Sequence, residues 1–494
     1  MRDLPKGRMM ELLSEVNQYV DQNLGKVKAD YRQAYHMMAP IGWINDPNGF
    51  VQYKGVYHLF CQYHPYSAQW GPMHWGHWTS LDLVHWKWQG VALAPDTEAD
   101  CCGCFSGTAI VHDGTLYLMY TGVSRDKTSE LLIQQQFLAY STDGMVFQKY
   151  EHNPVIASNQ LPAGASCVDF RDPRLIIANG GYCALIASSR QNEGEILLYK
   201  SNDLMHWEYG GVFLKGIHCI AECPDYFVLN GEKMLMFSST AKPDDKCIYP
   251  HDRPVVLLQG EQEPGMVEFK VKRHFVLDYG VDFYAPESLQ LDDGRTILIG
   301  WMQNWLRHMP TEYLAHEWNG CMSLPRELIW ENNTLYQRPL EEIKKLRSEE
   351  TTIHIQENQT VHLDLPVSAE VLIQLTGVKE HPCYIHFFES DDSALKVIVD
   401  PLTETICTDY AHAGYSIMLD PQNDAGNTVA PIRLREGTIE LLVFLDVCSA
   451  EIFVNQGEQV ISTRVFPRTP RKQHMSISGT ALSGTIKYYR IGGK

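Results

Sequence analysis

No stretch of this 494-residue chain is apolar for long enough to cross a membrane, and Met1 to Arg8 carries charge with no apolar segment behind it. Neither a membrane span nor a secretion signal is expected, and the simplest address is the cytoplasm. Positive charge is scarce too: 41 Lys and Arg stand against 60 Asp and Glu, a formal net charge of −19. Without a basic patch to offset it, that balance argues against nucleic acid and anionic membranes as partners. Low-complexity sequence is absent. Cys101-Cys102-Gly103-Cys104 holds one CxxC spacing, but a structural zinc site takes four ligands, usually from two such pairs, and there is no second pair. The 13 cysteines therefore read as reduced thiols. His64, His74 and His77 lie in a Trp/Pro/Gly loop without the ordered spacing of zinc ligands. Neither set is expected to hold zinc.

What the chain does have is ample core material, 44% hydrophobic against 20% charged, and a length that suits two or more domains. Met10, Leu13, Val16, Tyr19, Val20 and Leu24 recur at three- and four-residue spacing, which predicts a short amphipathic helix within an N-terminal extension, residues 1–34. From Tyr35 onward the pattern changes to short runs rich in Tyr, Val, Phe and Trp between Asp/Asn/Gly turns, so the fold class is all-β.

Two internal repeats run through that region. Ser80-Leu81-Asp82, Ser141-Thr142-Asp143 and Ser201-Asn202-Asp203 recur about every sixty residues, each followed by an aromatic at a fixed offset. In the second series Asp46-Pro47, Ser106-Gly107, Asp172-Pro173, Glu222-Cys223-Pro224 and Ala285-Pro286-Glu287 each precede a Gly-led strand pair. Five small antiparallel sheets close most naturally into a five-bladed β-propeller whose innermost strands ring a channel, here residues 35–337. A charged, Pro-started stretch, 338–350, reads as a linker helix. Beyond it the alternating runs Val371 to Leu375, Leu395 to Val399 and Leu441 to Leu445 predict a β-sandwich over 351–494.

In Trp43-Ile44-Asn45-Asp46-Pro47-Asn48-Gly49 a carboxylate sits on a rigid Pro/Gly turn, which taken alone is only a turn signal. Because Asp46, Asp172 and Glu222 open equivalent units, the repeat brings all three to one channel mouth. Two carboxylates flanking a glycosidic bond suffice to hydrolyse it, one as nucleophile or base and one as acid, and a third can steady the sugar. The acid must stay protonated and the nucleophile ionised, a division that crowded carboxylates favour. Trp70, Trp75, Trp78, Phe105, Trp301 and Trp305 suit the apolar faces of sugars, and Asn45 and Gln62 suit their hydroxyls.

With Phe105-Ser106-Gly107, Phe170-Arg171-Asp172-Pro173, Glu222-Cys223-Pro224-Asp225, Asp282-Phe283-Tyr284-Ala285 and Gly300-Trp301-Met302, the Trp43 to Gly49 stretch resembles, in order, the motif series of the invertase or β-fructofuranosidase family, glycoside hydrolase family 32. The resemblance runs from about Tyr35 through Leu324-Pro325-Arg326-Glu327-Leu328 and weakly into Phe453-Val454-Asn455. It implies a five-bladed propeller joined to a sandwich and hydrolysis of β-fructofuranosides with retention. By the same resemblance Asp46 is the nucleophile, Glu222 the acid/base, and Asp172, with Arg171 beside it, the transition-state stabiliser. Asn45, Gln62, Trp70, Phe105, Ser106 and Trp301 would line the fructose subsite, with no metal or cofactor. One departure stands out: Ala221 replaces the aromatic that many members carry before Glu-Cys-Pro, which should widen or reshape the wall near the acid/base. The expected substrate is sucrose or a short fructo-oligosaccharide. Alternatives are a sucrose-6-phosphate hydrolase using Arg125, Arg190 or Arg307 as a phosphate grip, a fructosyltransferase, an inverting glycosidase of the arabinanase kind, and a non-catalytic sugar-binding propeller. Oligomeric state is open.

Overall fold

The computed structural model describes residues 8–178, 180–241, 251–262, 265, 267–419, 426–470 and 473–492. The expected N-terminal helix spans Arg8–Asn23. Its Val16 and Val20 bury against Ile41, Tyr63 and Trp78 of the main body, so the apolar stripe that predicts the helix is also what docks it. Among the described residues no helix is long and apolar enough to cross a membrane.

The chain is dominated by strands, as expected. Among the described residues five antiparallel sheets follow one another in chain order, opening with the strands Gly42–Tyr53, Gly103–His112, Ala165–Ala178, Ala221–Leu229 and Tyr284–Gln290. Each opening strand lies against the next, and Tyr284–Gln290 returns to Gly42–Tyr53. A parallel strand, Trp318–Asn319, pairs with Gly42 and Trp43. This arrangement is consistent with a propeller.

The Ser-x-Asp repeat turns out to be structural. Asp82, Asp143 and Asp203 each accept the backbone N–H groups two and three residues ahead, closing the turn into the outermost strand of a sheet. The other repeat shapes the inner strands. Pairing slips between Ile44 and Pro47, Phe105 and Gly107, Glu222 and Asp225, and Tyr284 and Glu287, and opposite Arg171 to Arg174. Such bulges re-aim side chains. Asp172, Cys223 and Ala285 adopt left-handed backbone there, with φ of 61°, 49° and 47°. Proline follows the bulge residue in four units; in the second it is Gly107, where a Cβ would stand 2.0 Å from the Met119 carbonyl oxygen.

The predicted linker stretch holds a 3-10 helix, Glu341–Leu346, and Arg347 already begins a strand. After it come two six-stranded sheets. Alternate residues Val371, Ile373 and Leu375 of one strand and Leu441, Val443 and Leu445 of its neighbour are buried in one large core, the period-two pattern of sandwich strands. A buried ionic network locks this body to the first. Arg326 donates to Asp278 at 2.8 Å and to Glu451 at 2.6 Å, and His36 bridges Glu451 and Asp446 at 3.0 and 2.8 Å.

Candidate active site

Because the inner strands share one bulge, equivalent residues form tiers around the axis. The bulge tier is Asp46, Ser106, Asp172, Cys223 and Ala285. The tier before it is Asn45, Phe105, Arg171, Glu222 and Tyr284, and two residues beyond the bulge come Asn48, Thr108, Arg174, Asp225 and Glu287.

The bulge tier gathers two carboxylates around one cysteine. Asp46 is 8% exposed and Asp172 6%. Ser106 Oγ donates to Asp46 Oδ2 at 2.6 Å, Asn45 Nδ2 donates to Oδ1 at 3.0 Å, and Cys223 Sγ stands 3.5 Å from Oδ2. The Trp43 indole N–H in turn fixes the Asn45 amide at 2.8 Å. Asp172 Oδ2 accepts the Cys223 backbone N–H at 3.1 Å, and the Asp172 N–H donates to Thr121 Oγ1 at 2.9 Å. Burial pushes Asp46 above the usual carboxylate range, while the Ser106 and Asn45 donors pull it back. Burial likewise pushes Asp172 up to about 7; Arg171 opposes this, and the charges of Glu222 and Asp46 add to it.

Glu222 occupies the outer tier between two neighbours of its own tier. Arg171 Nη2 donates to Oε1 at 2.9 Å, and the Tyr284 hydroxyl donates to Oε2 at 2.6 Å. Arg171 also binds Asp169 at 3.0 Å and faces Asp172 at 3.8 Å. One guanidinium thus spans two of the three acids.

Of the remaining predicted residues, Trp70 is 49% exposed and meets Phe105 edge-on, forming an open aromatic wall. Gln62 is buried and donates to the Cys104 carbonyl at 3.0 Å. Trp301 has no exposed surface; it backs Trp43 and Tyr284, with Trp305 packed on both Trp43 and Trp301. Below the acids, Arg174 bridges Asp225 at 3.0 Å and Glu287 at 3.2 Å. A cavity of about 740 Å³ bordered by Arg32, Trp86, Trp88 and Arg347 contains none of these acids.

His64 and His74 each approach the Pro72 carbonyl at 3.1 Å, whereas His77 bonds His58 and stacks on Phe60. Two of the three thus share one carbonyl, and the third faces another imidazole. The described cysteines are free.

The family follows from both halves of the chain. Residues 36–339 match the model of the glycosyl hydrolases family 32 N-terminal domain, and residues 341–490 match that of the family 32 C-terminal domain. The chain belongs to glycoside hydrolase family 32. It is a glycoside hydrolase of the invertase type, similar to a sucrose-6-phosphate hydrolase of Escherichia coli, with 35% identity over 90% of this chain and 91% of that one. A raffinose invertase of Escherichia coli is also 35% identical, over 89% of this chain and 90% of its own. Among solved structures, a Bombyx mori family 32 β-fructofuranosidase superposes with a TM-score of 0.86 at 32% identity, covering 98% of both chains, and a mutant of it has been solved with sucrose.

Two features of this family 32 site differ from the sequence reading. Ala221 is wholly buried in a core with Leu185, Leu235 and Phe237, so it does not widen the wall; residues alternate along a strand, and Glu222 faces the channel. Tyr284 was not singled out, although it holds Glu222. The signal was in the repeat: Tyr284-Ala285-Pro286 aligns with Asn45-Asp46-Pro47 and Arg171-Asp172-Pro173, which places Tyr284 in the tier of Glu222.

Proposed function

We propose that this enzyme hydrolyses sucrose-type β-fructofuranosides with retention through a covalent fructosyl-enzyme. In this reading the five sheets are the five blades of a propeller over residues 35–337, preceded by the extension 1–34 and followed by the linker 338–350 and the sandwich 351–494. The carrying observation is that Cys223 touches both Asp46 and Asp172, while Glu222, next in sequence, is clamped by Arg171 and Tyr284. Three carboxylates therefore gather around Cys223.

The chemistry divides by environment. Asp46 receives two side-chain donors, Ser106 and Asn45, that favour its ionised form, so it is the nucleophile that attacks the anomeric carbon. Glu222 lies on the outer tier, where the leaving sugar departs. Its carboxyl gives a proton to the glycosidic oxygen as that bond breaks, then takes one from the water that attacks the fructosyl-Asp46 ester. Two inversions at one carbon give net retention. Asp172 and Arg171 hold fructose hydroxyls, while Asn45, Trp70, Phe105 and Ser106 frame the subsite and the buried Gln62 and Trp301 back it. The relatives' names support sucrose and its 6-phosphate as the substrate class.

The test is initial-rate hydrolysis of sucrose, sucrose 6-phosphate, 1-kestose and inulin, with Asp46→Ala and Glu222→Ala as controls and the first-formed fructose anomer read by NMR. The reading requires cleavage of at least one fructoside with β-fructose appearing first and loss of activity in both variants. Initial α-fructose, or full activity in Asp46→Ala, would overturn it.

A further inference from the structure

The arginines that the sequence offers as a phosphate grip are committed elsewhere. Arg125 donates to the Glu130 carbonyl at 2.7 Å on an exposed turn, and Arg190 pairs with Glu195 at 3.2 Å. Arg307 is 2% exposed, pairs with Asp282 at 3.1 Å and lies over the Tyr410 ring at 4.7 Å. Arg171 is shared among Asp169, Asp172 and Glu222. An anionic substrate group would need another cation at the mouth.

Arg253 meets that need. It is half-buried, and its guanidinium has no hydrogen bond or ion pair among the described residues. The backbone around it is pinned to the site. The Pro254 carbonyl accepts the Ser239 N–H at 3.0 Å, and the Ser239 carbonyl accepts the Tyr284 hydroxyl, 3.2 Å away, that also holds Glu222. The Asp252 carbonyl accepts Asn304 Nδ2 at 3.3 Å, and the next residue, Trp305, packs on Trp43. Arg253 itself has a left-handed φ of 56°. A non-glycine residue held in that region between such bonds is in a strained backbone conformation of the kind that gathers at functional sites. Its positive charge is felt at the Tyr284 hydroxyl, where it opposes the burial that pushes that phenol up.

We infer that Arg253 selects the leaving sugar, favouring a hexosyl group that carries a phosphate monoester over a neutral one. The inference rests on the proposed fructosidase reading and extends it to the leaving-group side. Glu222 protonates the leaving oxygen, so the departing hexose lies on the Glu222 and Tyr284 side of the site, and the pinned Arg253 segment adjoins that side. A partly desolvated guanidinium with no ion-pair partner among the described residues gains most from a ligand that supplies two oxygens in one plane, which a phosphate monoester does and a neutral hydroxymethyl group does not.

The experiment compares kcat/KM for sucrose 6-phosphate and for sucrose in the wild type, Arg253→Gln and Arg253→Lys, with competitive inhibition by glucose 6-phosphate and by glucose measured on the same preparations. The wild type prefers the phosphorylated substrate, and added salt narrows that preference. In Arg253→Gln the ratio of the two kcat/KM values falls about 10- to 100-fold, mainly through KM for the phosphorylated substrate, and inhibition by glucose 6-phosphate weakens in step. Arg253→Lys restores part of the ratio, because the charge returns without the planar fork. A wild type indifferent to the phosphate, or a ratio that Arg253→Gln leaves unchanged while fructosides are still cleaved, overturns the inference and leaves the fructosidase reading standing. An enzyme inert on every fructoside overturns both.

Discussion

Ser106 Oγ lies 2.6 Å from Asp46 Oδ2, so a hydroxyl from the second inner strand holds the carboxylate of the first. Hydrogen bonds to a charged group are worth about 1.5–3 kcal/mol, and this one favours the ionised form against the burial that pushes Asp46 up. Ser106→Ala should therefore lower kcat by roughly 10- to 100-fold. It should also displace the acid limb of the kcat/KM profile toward higher pH, because a raised acid loses its charge earlier as pH falls. A pH profile of both enzymes on one substrate checks this; an unmoved limb in Ser106→Ala would remove Ser106 from the control of Asp46.

Glu222 can be separated from Asp46 by the leaving group. Sucrose needs its glycosidic oxygen protonated, whereas a nitrophenyl β-fructofuranoside departs without help. Glu222→Gln keeps an acceptor for Arg171, and its amide N–H can donate to the Tyr284 hydroxyl, which donates on to the Ser239 carbonyl, but it has no proton to give. Its kcat on sucrose should fall about 10²- to 10⁴-fold, the usual scale of general acid catalysis, with a much smaller loss in the first turnover of the aryl substrate. A burst assay distinguishes the two, since deglycosylation still lacks its base. Equal losses on both substrates in the first turnover would take the acid role away from Glu222.

Much of this site is legible in the sequence because the repeat is legible. Asp46-Pro47, Asp172-Pro173 and Cys223-Pro224 occupy the same place in the first, third and fourth units, so a correct repeat alignment fixes which acids meet without any contact being known. The same alignment holds Tyr284 and the Arg174, Asp225 and Glu287 tier. Those were missed because a tyrosine before Ala-Pro and an Arg after Asp-Pro carry no chemistry until the ring closes. Ala221 was misread for the opposite reason: a motif position was taken as wall, while strand alternation turns it into the core. Arg253 has no sequence signal at all. It gains its place only through backbone bonds from Ser239 and Asn304, residues 14 and 51 positions away in sequence. The buried network between the two bodies was equally silent, since His36, Arg326 and Asp446 come from three distant stretches.

That network makes a prediction of its own. Arg326 and Glu451 are fully buried, and Arg326 contributes bonds to Asp278, Glu451 and Ser462. Removing one partner of such a set leaves uncompensated charge in the interior, so Arg326→Met should destabilise the protein by about 3–5 kcal/mol. His36 adds a pH dependence whose sign is fixed. Burial pulls its imidazole down, but the two carboxylates it bridges win and push it up to about 9 from 6.5. A histidine raised on folding gives its full stabilisation below pH 6.5 and loses it as pH climbs through 9, a span worth about 3 kcal/mol for the isolated group. The melting temperature should therefore fall between pH 6.5 and 9 in the wild type. In His36→Gln, which keeps one donor but cannot hold a charge, it should be lower at pH 6.5 and should change less over the same interval. A parallel fall in both proteins would mean that His36 is neutral in the fold and that Arg326 alone balances Glu451.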